Sequence, residues 1–119
     1  MVLAIVDDLM FSSKIRTAAV QLGVEVTFVR SSAAALAAIR DTAPALVILD
    51  LNNPRTDPLG TVVAIKQDPE TAGIRTVGYV SHVQADVIDA ARRAGVDEVM
   101  ARSAFSARLA DILAGVRPV

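Results

Sequence analysis

Five short apolar segments recur along the chain, and stretches with helical spacing separate them. Residues 2–6 and 45–49 are continuous apolar runs, each followed at once by aspartate. Continuous runs are typical of strands that are covered on both faces, as in parallel sheets. Residues 24–28 instead alternate between apolar and polar side chains, which predicts a half-exposed edge strand. Residues 77–80 and 99–101 complete the predicted strands.

Apolar residues at helical spacing fill each interval between the strands and the end of the chain. Capping residues mark the ends of these helices, because Ser and Asp accept hydrogen bonds from free N–H groups and Gly adopts the left-handed conformation that stops a helix. Five strand–helix units predict a doubly wound α/β sandwich with a parallel sheet, in one domain over residues 1–119. The capping residues are Gly23, Ser31 or Ser32, Asp57 with Pro58, and Gly95.

Composition narrows the classes of function. The 12 basic residues are balanced by 13 acidic ones, which argues against nucleic acid as the main partner. The absence of cysteine excludes disulfides, thiolate metal sites and cysteine nucleophiles. No apolar run approaches the roughly 20 residues that span a bilayer, and the N-terminal segment lacks the pattern of a secretory signal. We therefore expect a cytoplasmic protein that binds neither nucleic acid nor membranes.

Distinctive polar residues follow four of the predicted strands. Asp7 and Asp8 follow the first strand, Asp50 the third, Ser81 the fourth and Arg102 the fifth. In an open parallel sheet, ligands bind outside the carboxyl ends of the strands, near the point where the strand order reverses. We therefore expect these side chains to form one site.

The chemistry of this set points to phosphoryl transfer. Three carboxylates repel one another unless a cation or protons intervene, and oxygen ligands of this kind suit Mg²⁺. A metal ion would also neutralise an incoming phosphoryl group, so that one carboxylate could act as the nucleophile. Ser81 could donate a hydrogen bond to a phosphoryl oxygen, and Arg102 could pair with another. The sequence thus predicts a phospho-aspartate site.

These segments resemble the successive signatures of response-regulator receiver domains. The resemblance is carried, in order and spacing, by residues 5–8 (IVDD), 47–54 (VILDLNNP), 66–74 (KQDPETAGI), 79–81 (YVS) and, more loosely, 101–105 (ARSAF). It covers the whole chain. It implies a flavodoxin-like, five-stranded parallel sheet of order 2-1-3-4-5 and a signalling domain rather than an enzyme.

The resemblance also implies a role for each residue of the site. Asp50 would accept a phosphoryl group from a partner histidine kinase or phosphotransfer protein and would share Mg²⁺ with Asp8. Asp7 would lie beside the ion and act through water, and the main-chain carbonyl of Asn52 would supply a further ligand. Ser81 fills the place of the Ser or Thr that turns toward the phosphoryl group.

Further implications concern the rim of the site and the partners. Arg102 takes the place of a phosphoryl-binding lysine, and Asn53 and His82 belong to the rim of the pocket. The signal would pass to an output domain or effector protein. A homodimer through the face of the fourth helix, fifth strand and fifth helix is one assembly that the family uses.

The sequence departs from the family pattern at two places. Receivers carry Lys-Pro where this chain has Arg102-Ser103, and the planar fork of Arg is not interchangeable with a compact ammonium group. Val99 stands where receivers carry an aromatic residue that moves with the Ser or Thr, and His82 is bulky for its place beside the pocket. We expect phosphorylation to be retained and its readout to differ.

Three other functions fit parts of the sequence. The same departures favour a receiver-like interaction module that does not depend on phosphate. A haloacid-dehalogenase-like phosphohydrolase would carry its nucleophile after the first strand and a second Asp two residues on, whereas Asp50 follows the third strand and residue 52 is Asn. A flavodoxin-like cofactor carrier would need a Gly-rich phosphate loop after the first strand, which this chain lacks.

Overall fold

The computed structural model describes residues 1–81 and 84–116. Within these residues, five parallel strands form one sheet, and helices cover both of its faces. The strands are β1 (Val2–Ile5), β2 (Val26–Val29), β3 (Leu46–Asp50), β4 (Arg75–Val80) and β5 (Glu98–Ala101). The helices are α1 (Leu9–Leu22), α2 (Ser32–Thr42), α3 (Pro58–Gln67), α4 (Ala85–Ala94) and α5 (Arg102–Ala114), and a single 3-10 turn (Pro54–Thr56) precedes α3.

The strand order is β2-β1-β3-β4-β5, so both the predicted fold class and the predicted order are confirmed. β1 pairs with β2 along one edge and with β3 along the other. The chain therefore reverses its direction of winding between β1 and β3. In a sheet of this kind the reversal leaves a crevice at the carboxyl ends of the two strands, which is where ligands bind.

Two apolar layers hold the helices on the sheet, because successive side chains of a strand point to opposite faces. Every residue of β1 is buried, as the continuous apolar run predicts. On one face, α1 and α5 pack over a group of three aromatic rings, Phe11, Tyr79 and Phe105, whose centroids lie 4.7–5.6 Å apart. On the other face, α2, α3 and α4 pack over aliphatic residues such as Leu3 and Leu49.

The capping residues behave as the sequence predicts. Gly23 and Gly95 end α1 and α4 with φ of 69° and 109°. Ser31 rather than Ser32 caps α2, and Asp57 caps α3 ahead of Pro58.

Strand ends differ by one or two residues from the prediction. β2 begins only at Val26, because the N–H of Val24 donates to the carbonyl of Ala19 at the end of α1. None of the helices in the described part of the chain has the length and the apolar run that a membrane crossing needs.

The buried sheet makes a direct prediction about stability. Leu46→Ala removes a side chain that is 0% exposed, and Leu9→Ala makes the same change at a side chain that is 72% exposed. We expect the buried change to lower the free energy of unfolding by about 2–5 kcal/mol, because it leaves a cavity in the core. The exposed change should stay within about 0.5 kcal/mol. Denaturant unfolding measures both, and equal losses would contradict this account of the core.

Candidate functional site

An open cleft of about 770 Å³ lies at the carboxyl ends of the central strands. It brings together six of the residues that the sequence singled out, and these come from the ends of β1, β3 and β4. Pro54 and Arg55 of the loop after β3 complete its wall. The lining residues are Asp7, Asp8, Asp50, Asn52, Asn53, Pro54, Arg55 and Ser81.

Asp50 is the last residue of β3 and is partly buried. Its Oδ1 accepts a hydrogen bond from the backbone N–H of Asn52 at 3.0 Å, which holds the carboxylate in place. Burial raises the pKa of Asp50, and the negative charges of Asp7 and Asp8 act in the same direction. The Asn52 hydrogen bond and the positive charge of Arg102 oppose this effect. The structure therefore places an incompletely solvated carboxylate at the end of a rigid strand.

Asp8 makes two sets of contacts, and the sequence predicted neither of them. Its Oδ1 caps α1 by accepting hydrogen bonds from the backbone N–H groups of Met10 and Phe11, at 2.9 and 3.1 Å. Its Oδ2 accepts a hydrogen bond from Nη2 of Arg102 at 2.9 Å. The Phe11 hydrogen bond and Arg102 lower the pKa of Asp8, although burial acts against them. Both carboxylate oxygens of the expected metal ligand are thus already engaged.

Arg102 is the first residue of α5 and lies beside the cleft. Besides its ion pair with Asp8, its guanidinium lies over the ring of Phe11, 4.4 Å from the centroid. A charge pair and a cation–π contact together restrain a long side chain more than either alone. The sequence predicts Arg102 as a phosphoryl partner, and the structure places it on Asp8. Together with Ser81, it also lines a second pocket between α1 and α5.

Asp7 is balanced by two arginines that the sequence analysis did not identify. Nη1 of Arg55 donates to its Oδ2 at 3.1 Å, and Nε of Arg30 lies 3.8 Å from its Oδ1. The position of Arg30 gives a usable signal, because it directly follows the strand that pairs with β1. Arg55 lies five residues after Asp50 in the same loop. The site thus holds three carboxylates and three guanidinium groups, whose formal charges sum to zero.

Asn52 and Asn53, which the sequence assigned to the metal site and to the rim, hold the loop after β3 in place. Oδ1 of Asn52 accepts a hydrogen bond from the backbone N–H of Ser81 at 2.6 Å, which ties the loop after β3 to the end of β4. Asn53 caps the 3-10 turn through the backbone N–H of Arg55. His82, which the sequence also assigns to the rim, lies outside the described residues.

The aromatic side chains near the site lie on the face of α1 and α5. Val99 packs among the aliphatic residues of the opposite face. Tyr79 is the register partner of Asp50 and is 1% exposed. Within residues 1–81 and 84–116 its hydroxyl has no hydrogen-bond partner. Burial, and then the charge of Asp50, raise the pKa of Tyr79 above its usual range.

Solved structures with the same arrangement of strands and helices are numerous. The phosphorylated cyanobacterial phytochrome response regulator RcpA is 27% identical, with 97% of this chain and 89% of that chain covered and a TM-score of 0.80. A response regulator from Hahella chejuensis is 22% identical, with 99% and 95% covered and a TM-score of 0.87. This chain has the fold of a receiver domain. No protein-family model and no curated protein matches the sequence.

A third similar structure contains a metal ion. The receiver domain of sensor histidine kinase PA1611 from Pseudomonas aeruginosa, solved with a magnesium ion coordinated in its active-site cleft, is 17% identical. It covers 97% of this chain and 94% of its own, with a TM-score of 0.83. These relatives confirm the resemblance inferred from the sequence and support a receiver's role in two-component signalling.

The cleft has the right donors for Mg²⁺, which prefers carboxylate and carbonyl oxygens. In the part of the chain that the structure describes, no three His, Asp or Glu side chains are gathered closely enough to hold a metal ion. The structure pairs Asp7 and Asp8 with arginines instead. The oxygen donors of the cleft therefore suit Mg²⁺ once Arg55 and Arg102 have dissociated from the two carboxylates.

The environment of Asp50 predicts a stabilising substitution. The pKa of Asp50 in the folded protein lies above the usual value of 3.8, so folding favours the protonated carboxyl group. The free energy of unfolding therefore falls as the pH rises through 3.8 and then through the folded pKa. Asp50→Asn should therefore unfold at higher denaturant concentration than the wild type at pH 7. This gain should vanish well below pH 3.8, where Asp50 is protonated in both states.

Asp41 on α2 is exposed, and Asp41→Asn is the matched control, which should show no comparable gain. An Asp50→Asn variant that is no more stable than the wild type at pH 7 would contradict the assigned environment.

Proposed function

We propose that this chain works as one receiver domain that accepts a phosphoryl group on Asp50 from a histidine kinase or phosphotransfer protein and passes its state to an output domain or effector. The observation that carries the proposal is the position of Asp50 at the carboxyl end of β3, in one cleft with Asp7, Asp8 and Ser81. Relatives whose structures are phosphorylated or contain magnesium support it. The cytoplasmic location and the homodimer remain predictions.

The chemistry follows from the surroundings of Asp50. The Asn52 N–H holds Oδ1, and the second carboxylate oxygen attacks the phosphorus atom of the donor. The bond between phosphorus and the donor's leaving atom breaks, and the leaving group keeps the electron pair. Incomplete solvation of Asp50 lowers the cost of bringing its charge to the donor. The acyl phosphate that forms needs nearby positive charge and hydrogen-bond donors.

Ser81 and Arg102 are the groups we propose for this task. Ser81 lies at the end of β4 in the same cleft, so its hydroxyl is close to where the phosphoryl group would sit. Arg102 begins α5, and its charge already acts on Asp50. To bind a phosphoryl oxygen, its guanidinium has to exchange the carboxylate of Asp8 for that oxygen. Both partners are oxyanions, and the planar fork of Arg suits either.

The metal ligands we propose are Asp8, Asp50 and the main-chain carbonyl of Asn52, with Asp7 adjacent. When bound, Mg²⁺ supplies the positive charge that offsets the phosphoryl oxygens. In the unphosphorylated protein, Arg102 supplies the positive charge that offsets the carboxylate of Asp8. The guanidinium and the metal ion therefore compete for one carboxylate oxygen.

Phosphorylation tests the proposal directly. We expect incubation with Mg²⁺ and acetyl phosphate to add one phosphoryl mass in intact-protein mass spectrometry. Asp50→Asn should abolish the adduct because it removes the nucleophile, and Asp41→Asn should retain it. The proposal would be overturned by a wild-type protein that gains no phosphoryl mass and whose structure does not respond to beryllofluoride.

Competition for Asp8 generates a separate prediction about the metal. Arg102→Ala removes a half-exposed ion pair worth up to about 1 kcal/mol, so we expect Mg²⁺ to bind the unphosphorylated protein roughly fivefold more tightly. Titration calorimetry measures this affinity. Arg40→Ala, an exposed change on α2, is the control and should bind like the wild type. Unchanged affinity in Arg102→Ala would show that the two cations do not compete.

A second function has its own support. Asp7 and Asp8 are already neutralised by arginines, and Val99 provides no ring to move with Ser81. A receiver-like module that binds its partner regardless of phosphate fits both observations. If Asp50→Asn leaves partner binding and cellular output unchanged, this function replaces the first.

A further inference from the structure

Arg55 stands at the mouth of the cleft on a firmly held backbone. Its N–H donates to Oδ1 of Asn53 at 3.0 Å, and the hydroxyl of the fully buried Thr56 donates to the carbonyl of Asn53 at 3.1 Å. The side chain of Arg55 itself is 79% exposed. A fixed main chain with a solvated guanidinium places a positive charge at the edge of the site and leaves the group free to change partners.

The present partner of Arg55 is easy to replace. Its ion pair with Asp7 joins a side chain that is 79% exposed to one that is 23% exposed. Ion pairs with a solvated partner contribute about 0–1 kcal/mol. Asp7 also keeps Arg30 near its other oxygen. Arg55 can therefore leave Asp7 without stranding an unpaired carboxylate, and the exchange costs little free energy.

The charge balance favours such an exchange when a phosphoryl donor arrives. Attack by Asp50 brings together two negatively charged groups, and Arg102 is committed to Asp8 beforehand. Arg55 is the arginine among the residues that line the cleft with Asp50 and Ser81. Its planar fork can donate two parallel hydrogen bonds to phosphoryl oxygens.

We infer that Arg55 binds the incoming donor by the oxygens of its phosphoryl group. The inference rests on the proposed phosphorylation of Asp50 and names the class of substrate that the cleft selects, namely donors that carry a dianionic phosphoryl group. Arg55 exchanges Asp7 for these oxygens and holds the phosphorus near the free oxygen of Asp50. After transfer, the phosphoryl group stays on Asp50, and the leaving group departs with its electron pair.

The test measures initial rates of phosphorylation over a range of acetyl phosphate concentrations at fixed Mg²⁺. We expect Arg55→Ala and Arg55→Gln to raise the concentration that gives the half-maximal rate roughly tenfold, as loss of an exposed charge-assisted contact predicts. The maximal rate should change much less. Arg55→Lys should recover part of the loss, and Arg40→Ala should match the wild type.

Charge selectivity provides a second readout. The effect of Arg55→Ala should be smaller with phosphoramidate, whose protonated amino group lowers the net negative charge of the donor, and smaller at high salt. If Arg55 only maintained the shape of the loop, its substitution would change the half-saturating concentrations of both donors by the same factor. Because Arg55 is exposed, thermal unfolding of its variants should stay close to that of the wild type.

The outcomes separate this inference from the proposed function. If the wild type is phosphorylated and Arg55→Ala has the same half-saturating concentration, Arg55 does not bind the donor and only this inference fails. If Arg55→Ala is phosphorylated faster at low donor concentration, Arg55 merely blocks Asp7, which also overturns it. If the wild type gains no phosphoryl group, the proposed function fails and takes the inference with it.

Discussion

The ion pair between Asp8 and Arg102 connects the elements that surround the cleft. Asp8 caps α1, and Arg102 begins α5, so the pair links the first turns of two helices that are distant in sequence. The guanidinium also lies on Phe11, whose ring packs against Tyr79, the register partner of Asp50. A change in the partner of Arg102 therefore acts on a helix cap and a buried ring at the same time.

Arginines compensate the negative charge that gathers in the cleft. The reversal of strand order brings Asp7 and Asp8 beside Asp50, and this accumulation of negative charge needs cations. Arginines from the ends of β2 and β5 and from the loop after β3 supply them. Phosphorylation of Asp50 would replace one carboxylate charge by the two charges of a phosphoryl dianion, which is a net change of −1 at a neutral site. A bound Mg²⁺ would add two positive charges and would more than offset that change.

The aromatic residues and the expected route of the signal lie on different faces of the sheet. The family pattern places a ring on β5, where this chain has Val99 among aliphatic side chains. The rings of this protein gather instead under α1 and α5, in contact with the guanidinium of Arg102. A phosphorylated form that rearranged Arg102 would disturb that face first, because the contacts of Arg102 are there.

Local sequence determined the elements of this protein, because strand burial and helix capping depend on residues close in the chain. The apolar runs, Gly23, Gly95 and the Asp57-Pro58 cap fall where the pattern predicts, and the aspartates at the strand ends identified the edge that bears the cleft. The tertiary structure alone decided which charges meet. Arg30 and Arg55 are ordinary surface arginines in the sequence, and pairing with Asp7 depends on strand order and loop path. For Asp8, a helix cap and Arg102 take the oxygens that the sequence assigned to a metal, since electrostatic partners are chosen by distance in space.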